Sequence, residues 1–316
     1  MLCAFRLCMP NWILKSIIHR SISLLPNRQF WNRSLQAVTK SLELSPEKFE
    51  IKVAECARQL AEFERAKPGV NAFTAVELGT GWYPIIATGY FLCGASEVWT
   101  YDIEPLLEEG CVGVMGRYFC EYADSGRLQK LLPGLLPDRL AQLRTALQAT
   151  PTRSPEEVLE SLHIHVRVQD AQHTGLPPAS ADLVASSGVL EYIPREILAN
   201  ILAEFRRIAK PDSVMFHRIN LIDQYAYFDH QITPFNYLRF SPQAWRWLNS
   251  PLIWQSRLRI SDYRELFSAA GFQIVKEDDE PGSVEDLLKV PLAPEFRNYK
   301  QEDLLVLISW LVARVV

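Results

Sequence analysis

Glu77, Gly79 and Gly81 lie within five residues at the end of one apolar run, and Asp102 closes the next. A carboxylate at a strand tip can accept both hydroxyls of a ribose. Glycines in the turn before it can take positive φ and let a ligand approach the backbone without meeting a Cβ. This set therefore suits a nucleoside. A dinucleotide site would show G-x-G-x-x-G, with the last glycine close to a helix and a pyrophosphate at that helix's N-terminus. Counting from Gly79, the sixth place is Pro84. Glu77 faces the same loop, where it would repel a pyrophosphate but suit a cationic amino group.

The elements that must position these groups follow from the apolar pattern. Short β-branched runs predict strands at Phe73–Leu78, Glu97–Tyr101, Ile164–Val168, Asp182–Ser186, Ser213–Ile219, Phe272–Lys276 and Leu304–Val315. Helices are expected at 45–67, where Ser45 can cap and Pro46 suits the first turn, at Pro84–Cys93, after Pro105, at Arg195–Ala209 and at Ser261–Ala270. Strands and helices in alternation predict an α/β fold, a doubly wound, mostly parallel seven-stranded sheet with helices on both faces. The final two strands, joined by a long loop, suit an antiparallel hairpin at the sheet edge. Two insertions break the rhythm: a helical one over about 125–162, and an aromatic-rich one over about 221–258. The organisation expected is an N-terminal basic and helical cap segment, 1–68, followed by one domain, 69–316. In open sheets of this kind ligands bind at the carboxyl ends of the strands, where the strand order reverses. The turn "GTGWYP" lies at that edge. A ligand with a ribose, an adenine and an amino acid head fits it: S-adenosylmethionine (SAM).

Over about Phe73 to Lys276 the chain resembles the class I SAM-dependent methyltransferases. "VELGTGW" is similar to that family's first motif, with Tyr83 in place of the third glycine, and "VWTYDIE" to the second. "VRVQDAQHTGLPPASADLVASSGVLEYI" resembles the next two, and "RRIAKPDSVMFHRIN" the helix, turn and fifth strand, with Lys210-Pro211-Asp212 where glycines are usual. The resemblance implies that Glu77 holds the methionine ammonium. Gly79, Thr80 and Gly81 would form the turn beneath the methionine and ribose. Asp102 would take the ribose hydroxyls and Ile103 the adenine face. Asp170 and the Ala171 amide would meet the adenine edge, and Ser187 would lie by the transferred methyl. Glu191 suits a structural hydrogen bond in its turn as well as a substrate contact.

An in-line methyl displacement needs alignment and exclusion of water, and a hydroxyl acceptor needs a base as well. Candidates near the carboxyl edge are His230 as base, with Asp223 and Tyr225; Asn220 and Asp229 lie alongside. His217, inside a strand, is expected to be structural. Asp223 and Asp229 could hold a metal, but their spacing does not demand one, and no metal is expected. The aromatics of the second insertion suit a cover over an apolar or ring-bearing acceptor, or equally a local core around Trp245, Trp247 and Trp254. Arg257 and Arg259 could meet an anionic acceptor or pair with carboxylates.

With 48% hydrophobic and 22% charged residues the composition is that of a soluble globular chain, and a net charge of −4 gives no reason to expect nucleic acid as partner. Six cysteines without a CxxC pair point to free thiols in a reducing cytoplasm rather than to zinc or disulfides. The first forty residues carry Arg6, Lys15, Arg20, Arg28, Arg33 and Lys40 and no acid. Trp12, Ile13, Leu14, Ile17 and Ile18 can line one side of a short helix there, interrupted by charges and therefore neither a signal peptide nor a span. Such a helix can pack on the domain or lie on an anionic membrane as a peripheral contact. The function expected is methyl transfer from SAM to oxygen or nitrogen of a small, ring-bearing or apolar metabolite. The alternatives are a sugar or lipid-linked glycan as acceptor, or a non-catalytic SAM-binding module.

Overall fold

β1 (Phe73–Leu78) is buried along nearly its whole length, as a strand covered on both faces must be. In the computed structural model, which describes residues 11–23, 43–252 and 254–316, it lies near the centre of a seven-stranded sheet of order β3-β2-β1-β4-β5-β7-β6. Its neighbours are β2 (Ala95–Asp102) and β4 (Ala181–Ser187), both parallel to it. β3 (Ile164–Val168) and β5 (Ala209–Asn220) extend the parallel part on either side. β7 (Val306–Val315) runs antiparallel between β5 and β6 (Phe272–Pro281). The strand order reverses between β1 and β4, so the tips of β1, β2 and β4 surround the crevice where an open sheet binds its ligand.

Helices cover both faces. On one side are α2 (Pro46–Ala66), α3 (Ile85–Leu92), α4 (Cys111–Asp124) and three short helices of the first insertion, α5 (Arg127–Leu131), α6 (Pro137–Leu147) and α7 (Pro155–Glu160). Their apolar faces enclose a core that includes Phe49, Val53, Phe91, Met115 and Phe119. Ser45 caps α2 by accepting the Lys48 amide at 3.3 Å, and Ser154 and Glu157 form a reciprocal capping box at α7. On the other face, α8 (Arg195–Ile208) and α10 (Ile260–Ala269) bury Leu198, Leu202, Phe205 and Phe267. The second insertion builds a core of its own from Tyr225, Phe235, Tyr237, Leu238 and Trp245, around two 3-10 turns and α9 (Pro242–Leu248).

Three local expectations are corrected. The stretch between β6 and β7 is not a bare loop: it holds α11 (Val284–Leu288), a 3-10 turn at Pro294–Phe296 and α12 (Gln301–Leu305), so that β7 begins at Val306 rather than Leu304. β5 begins at Ala209, and Lys210 and Lys67 both reach the Asp182 carboxylate, at 2.7 and 2.8 Å, which fixes that entry. The N-terminal helix α1 (Asn11–Ser23) turns Trp12, Ser16 and His19 inward and leaves Leu14, Ile17 and Ile18 exposed. The surface it meets offers aromatic rings to Trp12, from Tyr225 and Phe240, and the Leu248 carbonyl to Ser16. Residues 1–10 and 24–42, the rest of the basic segment, lie outside the described residues.

Candidate active site

A cavity of about 790 Å³ opens at the carboxyl tips of β1, β2 and β4. Glu77, Gly79, Thr80, Gly81, Asp102, Ile103, Asp170, Ala171 and Ser187 all line it. The turn after β1 is shaped by its glycines: Gly79 has φ +95° and Gly81 φ +64°. A Cβ on Gly79 would fall inside the Val189 side chain, whereas the place of a Cβ on Gly81 is open space. Asp102 holds the turn from β2. Its Oδ2 accepts the Gly81 amide at 3.1 Å and its Oδ1 the Glu104 amide at 3.2 Å. Burial raises the Asp102 carboxyl above its usual range, and these amides pull it back. Thr80 is pinned to Thr100 on β2 by a 2.8 Å hydroxyl pair.

Glu77 is the most informative group. It is 4% exposed, and its Oε2 has no hydrogen-bond partner. Burial pushes its carboxyl up to about 8, against the pull of Lys52. A buried carboxylate oxygen left unpaired costs stability unless a ligand pairs it. An ammonium group is the donor that would both satisfy that oxygen and restore the charge. With Asp102 beside it, the carboxylates of this crevice fit a cationic nucleoside and oppose a phosphate.

Beyond the tip of β2, Ile103 is exposed at the cavity lip and Ala171 is buried. Asp170 accepts the Gln172 amide at 2.9 Å and the Gln172 side chain at 2.7 Å, so a local turn already uses it.

A family model described as a methyltransferase domain matches residues 125–217, from the first insertion through β3, β4 and α8 into β5. Over those residues the chain matches a methyltransferase domain, and the sheet around them has the class I SAM-dependent methyltransferase fold. No curated protein matches this methyltransferase. It is similar to a solved putative SAM-dependent methyltransferase from Listeria monocytogenes at 14% identity, covering 83% of this chain and 98% of that one, with TM-score 0.40. A SAM-dependent methyltransferase from Mesorhizobium loti matches at 15% identity, 83% and 99% coverage and TM-score 0.42. One from Leishmania major matches at 11%, 96% and 83%, with TM-score 0.44.

The wall of the methyltransferase cavity beyond the glycine turn comes from elements with no motif. α2 presents Lys48, Ile51 and Lys52, and the turns around it add Leu44, Trp82, Tyr83 and Tyr192. Behind Ser187 lies a polar cluster: the Ser187 hydroxyl donates to Glu55 at 2.6 Å, and Lys52 reaches the same carboxylate oxygen at 2.7 Å. Arg218 on β5 approaches the other Glu55 oxygen at 3.5 Å. Residues 48, 51, 52 and 55 share one face of a helix, a spacing that marks a functional face only once the partner surface is known. Glu191 is 1% exposed, and burial pushes its carboxyl up to about 8 against its backbone contacts and Arg218.

His230, Asp223 and Tyr225 are not among the residues around this cavity. His230 is exposed in the second insertion. Asp223 is fully buried, caps the following turn through the Tyr225 amide at 2.8 Å and accepts from Asn236 at 3.1 Å. Tyr225 donates to the Leu248 carbonyl at 2.9 Å. Asp229 accepts the amides of Trp12 and Gln231, and Asn220 donates to Tyr227 at 3.0 Å. Among the described residues no group of three or more His, Cys, Asp or Glu is placed to hold a metal ion. His217 is buried against Ser186 at 2.8 Å, and burial lowers it to about 3, which keeps it neutral. Trp245 packs inside the cap, whereas Trp247 is 68% exposed. Arg257 pairs with Glu295 and the Phe240 carbonyl, and Arg259 is a buried structural residue.

Proposed function

We propose that this methyltransferase acts on oxygen or nitrogen of a small, apolar or ring-bearing metabolite, and that it does so in the cytoplasm. One observation carries the reading: the glycine turn and strand-tip carboxylates share a single cavity with an apolar wall formed by Leu44, Ile51, Trp82, Tyr83 and Tyr192. Its volume, about 790 Å³, lies toward the upper end of the roughly 300–1,000 Å³ usual for ligand pockets, which leaves room beside a cofactor.

SAM supplies an electrophilic methyl group when bound. Glu77 would hold its ammonium, Asp102 its ribose, and Ile103, Asp170 and Ala171 its base. The protein's part is alignment in a pocket that excludes water. An amine acceptor need only arrive deprotonated. A hydroxyl acceptor must lose a proton, and a candidate to take it is Glu55, reached through the Ser187 hydroxyl. His230, Asp223 and Tyr225 would serve only if the cap moved them toward the crevice.

The test is incubation with methyl-labelled SAM and metabolite extracts, followed by mass spectrometry for a gain of one methyl. A labelled small molecule together with S-adenosylhomocysteine supports the reading. Tight SAM binding without S-adenosylhomocysteine under any acceptor pool defeats it in favour of a binding module.

A further inference from the structure

α1 meets the protein with Trp12 but turns most of its expected apolar side to water. Its buried groups are Trp12, Ser16 and His19, while Leu14, Ile17 and Ile18 are 47%, 48% and 41% exposed. Spaced i, i+3 and i+4, these three form one stripe along the helix. The cap adds two exposed rings beside the flanks of the helix. The Lys15 ammonium stands 2.6 Å from the centroid of the Phe228 ring, which is 56% exposed, and the Arg20 guanidinium lies 4.6 Å from that of Trp247, which is 68% exposed. Arg20 also donates to the Arg246 and Trp247 carbonyls, at 3.0 and 3.1 Å, so α1 and α9 present one surface. Exposed apolar side chains grouped on a helix and its neighbour in this way mark an interaction site.

The charge around it has one sign. α1 and α9 carry Lys15, Arg20 and Arg246 and no carboxylate. The acid that touches α1, Asp229, is 3% exposed and spent on the Trp12 amide. A second copy of the chain would bring like charges together on this face, which opposes self-association. An anionic lipid surface complements every part of it: aliphatic side chains enter the acyl boundary, tryptophan sits at headgroup level, and lysine and arginine meet phosphates. No described helix is long and apolar enough to cross a membrane, so the contact would lie in the plane of the interface.

We infer that the α1–α9 face is a docking surface for anionic membranes. The surface itself does not depend on which acceptor is used.

The full chain is to be sedimented with phosphatidylcholine vesicles and with mixed phosphatidylcholine–phosphatidylserine vesicles. Retention on the anionic vesicles, released by salt and lost roughly tenfold or more in the combined Leu14→Ser, Ile17→Ser, Ile18→Ser variant, is the expected result. SAM affinity, read by calorimetry, should stay unchanged in that variant, which shows that it folds. No retention overturns the inference, as does equal retention on neutral vesicles or by the variant. A dimer in sedimentation velocity that the variant dissolves assigns the face to a second copy instead.

Discussion

The Asp102 carboxylate grips the Gly81 amide at 3.1 Å, so the tip of β2 and the glycine turn after β1 form one unit. Asp102 shapes the turn, and in the function proposed above it would also offer acceptors to a ribose. Asp102→Ala should weaken SAM binding by about 1.5–3 kcal/mol, the cost of a lost charge-assisted hydrogen bond, or roughly ten- to a hundredfold in Kd. Asp102→Asn should lose less, because its amide oxygen can still accept from Gly81. Calorimetry with SAM separates the two.

Gly79 combines a φ of +95° with the close approach of Val189. Gly79→Ala should lower stability by about 1–3 kcal/mol through backbone strain and overpacking, seen as a fall in Tm, and should weaken SAM binding. Adding Val189→Ala should recover the steric part alone, leaving the strain. Full recovery in the double variant would show that φ at this position is not costly.

Glu77 gives a pH signature. Its carboxyl, raised from 4.5 to about 8 by burial, keeps a proton in the folded chain that the unfolded chain has already lost over that range. The stability it contributes is complete below about 4.5 and is lost as pH rises through about 8. Thermal melts without ligand should therefore show Tm falling across this window. Glu77→Gln should flatten the slope without abolishing it, since Glu191 is shifted in the same direction. An ammonium paired with Glu77 would expel the proton, so calorimetry at pH 7 in buffers of different ionisation enthalpy should report proton release by the native protein and none by Glu77→Gln.

Arg259 is fully buried and donates to the carbonyls of Leu221, Leu304 and Val306 and to the Tyr237 hydroxyl. Arg259→Met keeps much of the volume but strands those acceptors. Denaturant unfolding should show a loss of about 3 kcal/mol or more, with SAM affinity retained if the crevice stays folded. An unaltered midpoint would mean that the carbonyls find other partners.

The glycine turn and the strand-tip acids that line the cavity were legible because their spacing is local. Glu77 and Gly79 are two residues apart, each acid stands at or just beyond the end of an apolar run, and runs buried on both faces read plainly as strands. The polar cluster behind Ser187 was hidden because its contacts are long-range. Ser187 meets Glu55 across 132 residues, and nothing near Glu55 in the chain announces the meeting. Asp223 and Tyr225 looked available because polar groups after a strand tip usually face the crevice. In the fold they serve the cap's own core, where each finds a backbone partner. Leu304 and Leu305 extended the apolar run of β7 by pattern alone, but they form the last turn of α12.

The position of β7 bears on the order in which the molecule assembles. It comes after β6 in the chain yet enters the sheet between β6 and β5, and Arg259 fastens the cap to the carbonyls at its start. Such distant pairings are slow to form. The nucleoside crevice can take shape from β1, β2 and β4 before that strand arrives, whereas the cap cannot be latched until it has docked. A refolding chain would thus form its glycine-turn crevice first and fasten its cap later.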